Sequence, residues 1–142
     1  MKIKPIVTDR IQTKHTNCLV DFCLESNITF ITGDSGVGKS AVYAFIQEYA
    51  TEDNRIRCIN YLDHNKGYKA SIRNSKGKLF VIDNADLLLD DKMRQFIALD
   101  TENQYIIIGR NPTALMLSQE DIFELDSMCD GEITIFSLKH AF

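Results

Sequence analysis

Residues 33–40 read Gly33-Asp34-Ser35-Gly36-Val37-Gly38-Lys39-Ser40, a complete G-x-x-x-x-G-K-[ST] phosphate-binding loop. The chemistry such a loop can do follows from its residue types. Glycines let the backbone wrap an anion with its N–H groups turned inward, and a helix starting at the loop adds the positive end of its dipole. Lys39 then supplies a point charge for the β- and γ-phosphates, and the Ser40 hydroxyl is a ligand for Mg²⁺. The pattern predicts a nucleoside triphosphate as ligand, held by Gly33, Asp34, Ser35, Gly36, Val37, Gly38, Lys39 and Ser40.

Two further groups of residues suit the same chemistry. Leu79-Phe80-Val81-Ile82-Asp83 is an apolar run that delivers an acid at its carboxyl end. Ligands of open α/β sheets bind beyond those ends, so Asp83 is expected beside Ser40 and the Mg²⁺; the alternative is a carboxylate that caps the turn at Asn84-Ala85. Ile106-Ile107-Ile108-Gly109-Arg110-Asn111 is a second apolar run, ending in two polar groups that could reach the γ-phosphate. Arg110 could pair bidentately with phosphate oxygens or with a carboxylate, whereas Asn111-Pro112 also reads as a turn.

The elements that must hold these groups are legible as periodicities. Ile28 to Thr32 is the strand entering the loop, and Val42, Phe45, Ile46 and Tyr49 share one face of the helix leaving it. The apolar runs Ile3–Val7 and Cys18–Leu24 predict an antiparallel hairpin or edge strands ahead of it. Further strands are expected over Ile56–Tyr61, Leu79–Ile82 and Tyr105–Ile108, with helices near Tyr68–Arg73 and after a cap at Asp90 or Asp91. A helical turn is expected over Leu115–Leu117, a short edge strand over Ile122–Leu125, and a last regular stretch over Glu132–Phe136. Strands alternating with helices predict an α/β fold with a mainly parallel sheet covered on both faces.

Together the three groups of residues resemble the P-loop NTPases, in the ATP-using branch with an additional strand between loop strand and acid strand. The resemblance covers residues 28–111 and is most specific at the first motif, the Walker A loop. It implies a three-layer P-loop NTPase fold on a mainly parallel five-stranded core sheet ordered 5-1-4-3-2, here with N-terminal edge strands, as one domain over residues 1–142. It also implies ATP and Mg²⁺ as ligands, Asp83 as the Walker B acid, Lys39 as a catalytic charge, and Asn111 or Arg110 as the sensor of the γ-phosphate.

The departures from that family bear on activity. Active members carry a glutamate after the Walker B aspartate to polarise the attacking water, and here that position is Asn84. An amide orients water but does not take its proton, so hydrolysis is expected to be slow or to need a partner protein or a second copy of the chain. Asp86 could substitute as the base, or it could cap or solvate the loop before Leu87-Leu88-Leu89, itself either core packing or a contact surface. The LSGGQ motif of ABC ATPases is lacking, and so is the base-reading N-K-x-D of GTPases, which disfavours GTP. The leading expectation is an ATP-binding switch or motor subunit with weak or partner-dependent ATPase activity. A small phosphotransferase, like guanylate kinases or HPr kinases, and a non-enzymatic nucleotide-binding module are the alternatives.

Bulk properties narrow the setting. The 142 residues carry a net charge of −4, which argues against a general nucleic-acid coat. Lys66, Lys69, Arg73, Lys76 and Lys78 nonetheless make residues 66–78 locally basic, either a nucleic-acid or acidic-partner contact or a solvated connection. Cys18, Cys23, Cys58 and Cys129 form no C-x-x-C pair and read as ordinary thiols, and His15, His64 and His140 as isolated side chains. With no apolar run long enough to span a membrane, the expected location is the cytoplasm.

Overall fold

The computed structural model describes residues 3–33, 38–61 and 67–142. Asp34, Ser35, Gly36 and Val37 of the loop, and His64 and Lys66, lie outside the described residues. The strands are β1 (Arg10–His15), β2 (Cys18–Cys23), β3 (Ile28–Thr32), β4 (Ile56–Ile59), β5 (Leu79–Ile82), β6 (Gln104–Ile108), β7 (Ile122–Asp130) and β8 (Ile133–His140). The helices are α1 (Lys39–Ala50), α2 (Tyr68–Arg73), α3 (Ala85–Leu88) and α4 (Asp91–Leu99).

All eight strands join one curled mixed sheet in the order β1-β2-β8-β7-β3-β6-β5-β4. From β7 to β4 every neighbouring pair is parallel, so the carboxyl ends of β3, β5 and β6 emerge at one edge. The other end of the sheet is built differently. β7 and β8 form an antiparallel hairpin turned by Gly131 at φ 65°, β8 runs parallel to β2, and β2 pairs antiparallel with β1.

This sheet corrects the expected fold class. The chain does not form a three-layer P-loop NTPase fold on a five-stranded, mainly parallel sheet; it forms an eight-stranded, strand-rich mixed sheet with few helices. The strands expected at the C-terminal end are longer than their apolar runs, because β7 and β8 pair along their lengths even where Ser127 to Asp130 are exposed. Nor is Ile122–Leu125 an edge: β7 lies between β3 and β8. The N-terminal hairpin is Arg10–His15 with Cys18–Cys23, not Ile3–Val7, and it meets the sheet through β8 rather than beside β3. Residues 3–7 are irregular, with Pro5 among them and the Val7 amide bonded to the Gln104 side chain at 2.8 Å. Around Leu115 the chain makes a turn, with Ala114 and Met116 both at positive φ, where a helical turn was expected.

Two apolar layers flank the sheet, and strand alternation divides them. Ile31, Leu79, Val81, Ile106 and Ile108 pack with Val42, Tyr43 and Ile46 of α1. Phe30, Phe80, Ile82, Tyr105 and Ile107 face Ile72 of α2, Leu88 of α3, and Met93 and Ile97 of α4. Helix starts follow local chemistry: Asp90 accepts the Met93 amide as the cap of α4, and Gly67, at φ 72°, precedes α2. Among the described residues no helix is long and apolar enough to cross a membrane.

Candidate functional site

A cavity of about 590 Å³ opens at the edge where β3, β5 and β6 end. Gly38, Lys39, Ser40 and Ala41 line it from the start of α1, Asp83, Asn84, Asp86 and Leu87 from the end of β5 and α3, and Ile108, Gly109 and Arg110 from the end of β6. The parallel register makes this convergence: β5 and β6 flank one another, β6 flanks β3, and whatever follows each strand arrives at the same place. Seven of the site residues expected from sequence are therefore together: Gly38, Lys39, Ser40, Asp83, Asn84, Asp86 and Arg110.

Asn111 is not among the lining residues. Its side-chain Oδ1 accepts the Thr113 amide at 3.0 Å and the Thr113 hydroxyl, closing the turn that Asn111-Pro112 also suggested. Of the two sensor candidates on this segment, Arg110 lines the cavity.

Lys39 donates from Nζ to the Gly33 carbonyl, so the ammonium stands over the entrance of the loop. Asp83 is half-buried, and burial raises its pKa above the ordinary carboxylate value; the Asn84 amide and the charge of Lys39 oppose that shift. Its Oδ1 accepts the Asn84 N–H at 2.9 Å, while Oδ2 accepts no hydrogen bond among the described residues. A partly desolvated carboxylate with an open oxygen is stabilised by a nearby cation. Mg²⁺ takes one or two protein oxygens alongside phosphates and waters, so Asp83 and the Ser40 hydroxyl, on one cavity wall each, fit it. Among the described residues no group of three His, Cys, Asp or Glu could hold a metal by itself.

Asp86 is engaged by the backbone. Oδ2 accepts the Arg110 N–H at 2.8 Å, Oδ1 accepts the Asn111 N–H at 3.0 Å, and Arg94 Nη2 lies 3.5 Å from Oδ1. Of Leu87-Leu88-Leu89, Leu88 and Leu89 pack in the core, and Leu87 is 68% exposed at the cavity rim.

Arg94 was not singled out from sequence. It is buried in α4, and Nη1 donates to the carbonyls of Asn111 at 2.6 Å and Thr113 at 2.9 Å. A signal was present: Arg94 follows Met93 and precedes Ile97 by three residues, so a charge sits on the apolar face of the helix. Charged residues are rarely buried unless paired, so that placement implies partners for the guanidinium.

The described basic side chains of residues 67–78 have partners elsewhere in the chain. Lys69 binds Asp90 at 2.6 Å, Arg73 lies 5.7 Å above the Phe96 ring, Lys76 approaches Glu102 at 3.5 Å, and Lys78 donates to the Asn54 carbonyl at 3.2 Å. Cys23 and Cys129 are exposed and Cys18 and Cys58 half-buried, where burial pushes the Cys58 thiol up to about 12. Compared with protein-family models, curated proteins and solved structures, the chain matches none.

Proposed function

We propose that this chain binds ATP with Mg²⁺ in the cavity at the ends of β3, β5 and β6, and acts as a nucleotide switch or motor subunit with weak or partner-dependent hydrolysis. The observation that carries the reading is the convergence of Lys39, Ser40 and Asp83 on one cavity from two elements far apart in sequence. Its volume, about 590 Å³, is within the range of small-molecule sites. Lys39 binds the phosphates, Ser40 and Asp83 hold the cation, and Arg110 faces the same space from the β6 side. Mg²⁺, when bound, neutralises phosphate charge and orients the chain of phosphates.

Weak turnover follows from the groups nearest that space. Asn84 can orient a water but cannot accept its proton, and the Asp86 carboxylate is engaged by two backbone amides and lies near a guanidinium. A protein partner or a second copy of this chain would supply the missing group. ATP rather than GTP rests on the resemblance to the ATP-using branch, and a cytoplasmic setting on the cosubstrate. Nucleic-acid binding through residues 66–78 draws no support from Lys69, Arg73, Lys76 and Lys78, each of which has a partner within the chain.

Calorimetric titration of Mg-ATP, with phosphate release followed in parallel, tests the reading. Lys39→Ala removes a charge-assisted contact and should weaken binding by about 1.5–3 kcal/mol, roughly ten- to a hundred-fold. Equal affinity in the variant and the wild type would overturn it. Rapid unaided phosphate release would keep the binding site and remove the partner dependence.

A further inference from the structure

The segment from Gly109 to Thr113 is held on every side. The Gly109 amide donates to the Ile31 carbonyl at 3.1 Å, tying it to the end of the strand that enters the phosphate loop. Asp86 takes the next two amides, of Arg110 and Asn111, and Arg94 takes the carbonyls of Asn111 and Thr113. Arg94 Nη2 lies 3.5 Å from Asp86 Oδ1, so the residue that holds the amides and the residue that holds the carbonyls meet each other. The approach is close: a Cβ on Gly109 would lie 3.0 Å from Asp86 Oδ1 and 3.4 Å from the Ala85 Cβ. Arg110, in the middle, is the residue of the segment that lines the cavity with Gly109.

We propose that Asp86 and Arg94 are a positioning pair that holds the 109–113 segment so that Arg110 meets the terminal phosphate of a bound nucleoside triphosphate. The proposal rests on the nucleotide-binding reading above. Arg94 lies outside the cavity lining and the Asp86 carboxylate, at the cavity wall, is taken up by amides, so both act through the backbone on either side of Arg110. The arrangement also gives Asp86 its purpose, since a carboxylate occupied by two amides and a nearby guanidinium orients a loop rather than taking a proton.

Binding of Mg-ATP and Mg-ADP to the whole chain, measured side by side, separates positioning from structure. The wild type should prefer ATP, and Arg110→Ala should lose that preference. Arg94→Lys keeps the charge but loses the planar fork, and Asp86→Asn keeps one acceptor for the two amides. Each should lower ATP affinity roughly tenfold, the size of one charge-assisted contact, and leave ADP affinity within about twofold. The double variant R94K/R110A should bind ATP no more weakly than Arg110→Ala alone, because both changes remove one interaction. An unchanged ATP-to-ADP ratio in Arg94→Lys and Asp86→Asn, even with lowered melting temperatures, would overturn the proposal and leave nucleotide binding intact. Additive losses in the double variant would overturn it as well. A wild type that binds neither nucleotide would remove the nucleotide reading and this proposal with it. Should Arg94→Lys fail to fold, Asp86→Asn decides by the same ratio.

Discussion

A Cβ placed on Gly38 would lie 2.9 Å from Cε1 of Phe136, a residue of β8. The strand that the fold adds beside β7 is therefore packed against the last glycine before Lys39. Gly38 stands at φ 100°, a conformation that side chains resist, and it is the residue from which α1 starts. Gly38→Ala should cost about 1–2 kcal/mol for the backbone, with a further 1–3 kcal/mol or so for overpacking against Phe136. Urea unfolding midpoints give the total. Adding Phe136→Leu should recover the packing part alone; full recovery would mean that the backbone carries no strain, and no recovery that the ring is not what limits the site.

Asn84, the residue after Asp83, stands in a left-handed conformation, and its backbone accounts for an asparagine there. Its φ is 51° and ψ 45°, its N–H bonds Asp83, and its carbonyl accepts the amides of Leu87 at 3.0 Å and Leu88 at 3.1 Å. Asparagine tolerates this left-handed turn and glutamate does not. Asn84→Glu should lose about 1 kcal/mol of stability, while Asn84→Gly should stay within about 0.5 kcal/mol of wild type. A stable glutamate variant beside a weakened glycine variant would show that the amide side chain, and not the turn, is what the position needs.

Much of the site was legible because it depends on short-range pattern. The loop motif fixes Lys39 and Ser40 at a helix start, four apolar residues carry Asp83 to a strand end, and a cap is legible at Asp90 or Asp91, of which Asp90 takes the Met93 amide. What was missed depends on partners far away in sequence. β1 contains one wholly buried side chain, Ile11, among polar neighbours, so alternation alone does not reveal it. In β7 the buried positions end at Leu125, and only pairing with β8 carries the strand on to Asp130. Ile3–Val7 is apolar yet irregular, since its amide partner is a glutamine side chain and not a strand. Arg94 and Asp86 acquire their roles from carbonyls and amides that no motif records.

That glutamine, Gln104, makes its own prediction. It is 1% exposed, and its Oε1 accepts the Val7 amide at 2.8 Å and the Thr8 amide at 3.0 Å, while Nε2 donates to the Thr8 carbonyl at 2.8 Å. Gln104→Leu fills a similar volume but leaves three backbone groups without partners. The loss should be about 1–3 kcal/mol. Hydrogen exchange at the amides of Val7 and Thr8 should accelerate well beyond that of β6. Slow exchange there in the variant would mean that the segment is held by other contacts.

Asp83 makes the stability of the fold depend on pH. Burial raises its pKa in the folded chain above that of the unfolded chain, despite the Asn84 amide and Lys39. Between those two values the folded state holds the proton more often, so stability falls as pH rises through that window and stays lower above it. Asp83→Asn removes the charge and keeps an acceptor for the Asn84 amide. The variant should therefore melt above the wild type at neutral pH, and the two should converge once the pH falls below the ordinary carboxylate range. Mg-ATP should reverse the order, because the cation is stabilised by the wild-type carboxylate and not by the amide, and a ligand that binds the folded state raises its melting temperature. Melting curves across pH, with and without Mg-ATP, read both effects from one set of samples. Identical curves without ligand would mean that the buried charge costs nothing, and an order that Mg-ATP leaves unreversed would remove Asp83 from the proposed metal site.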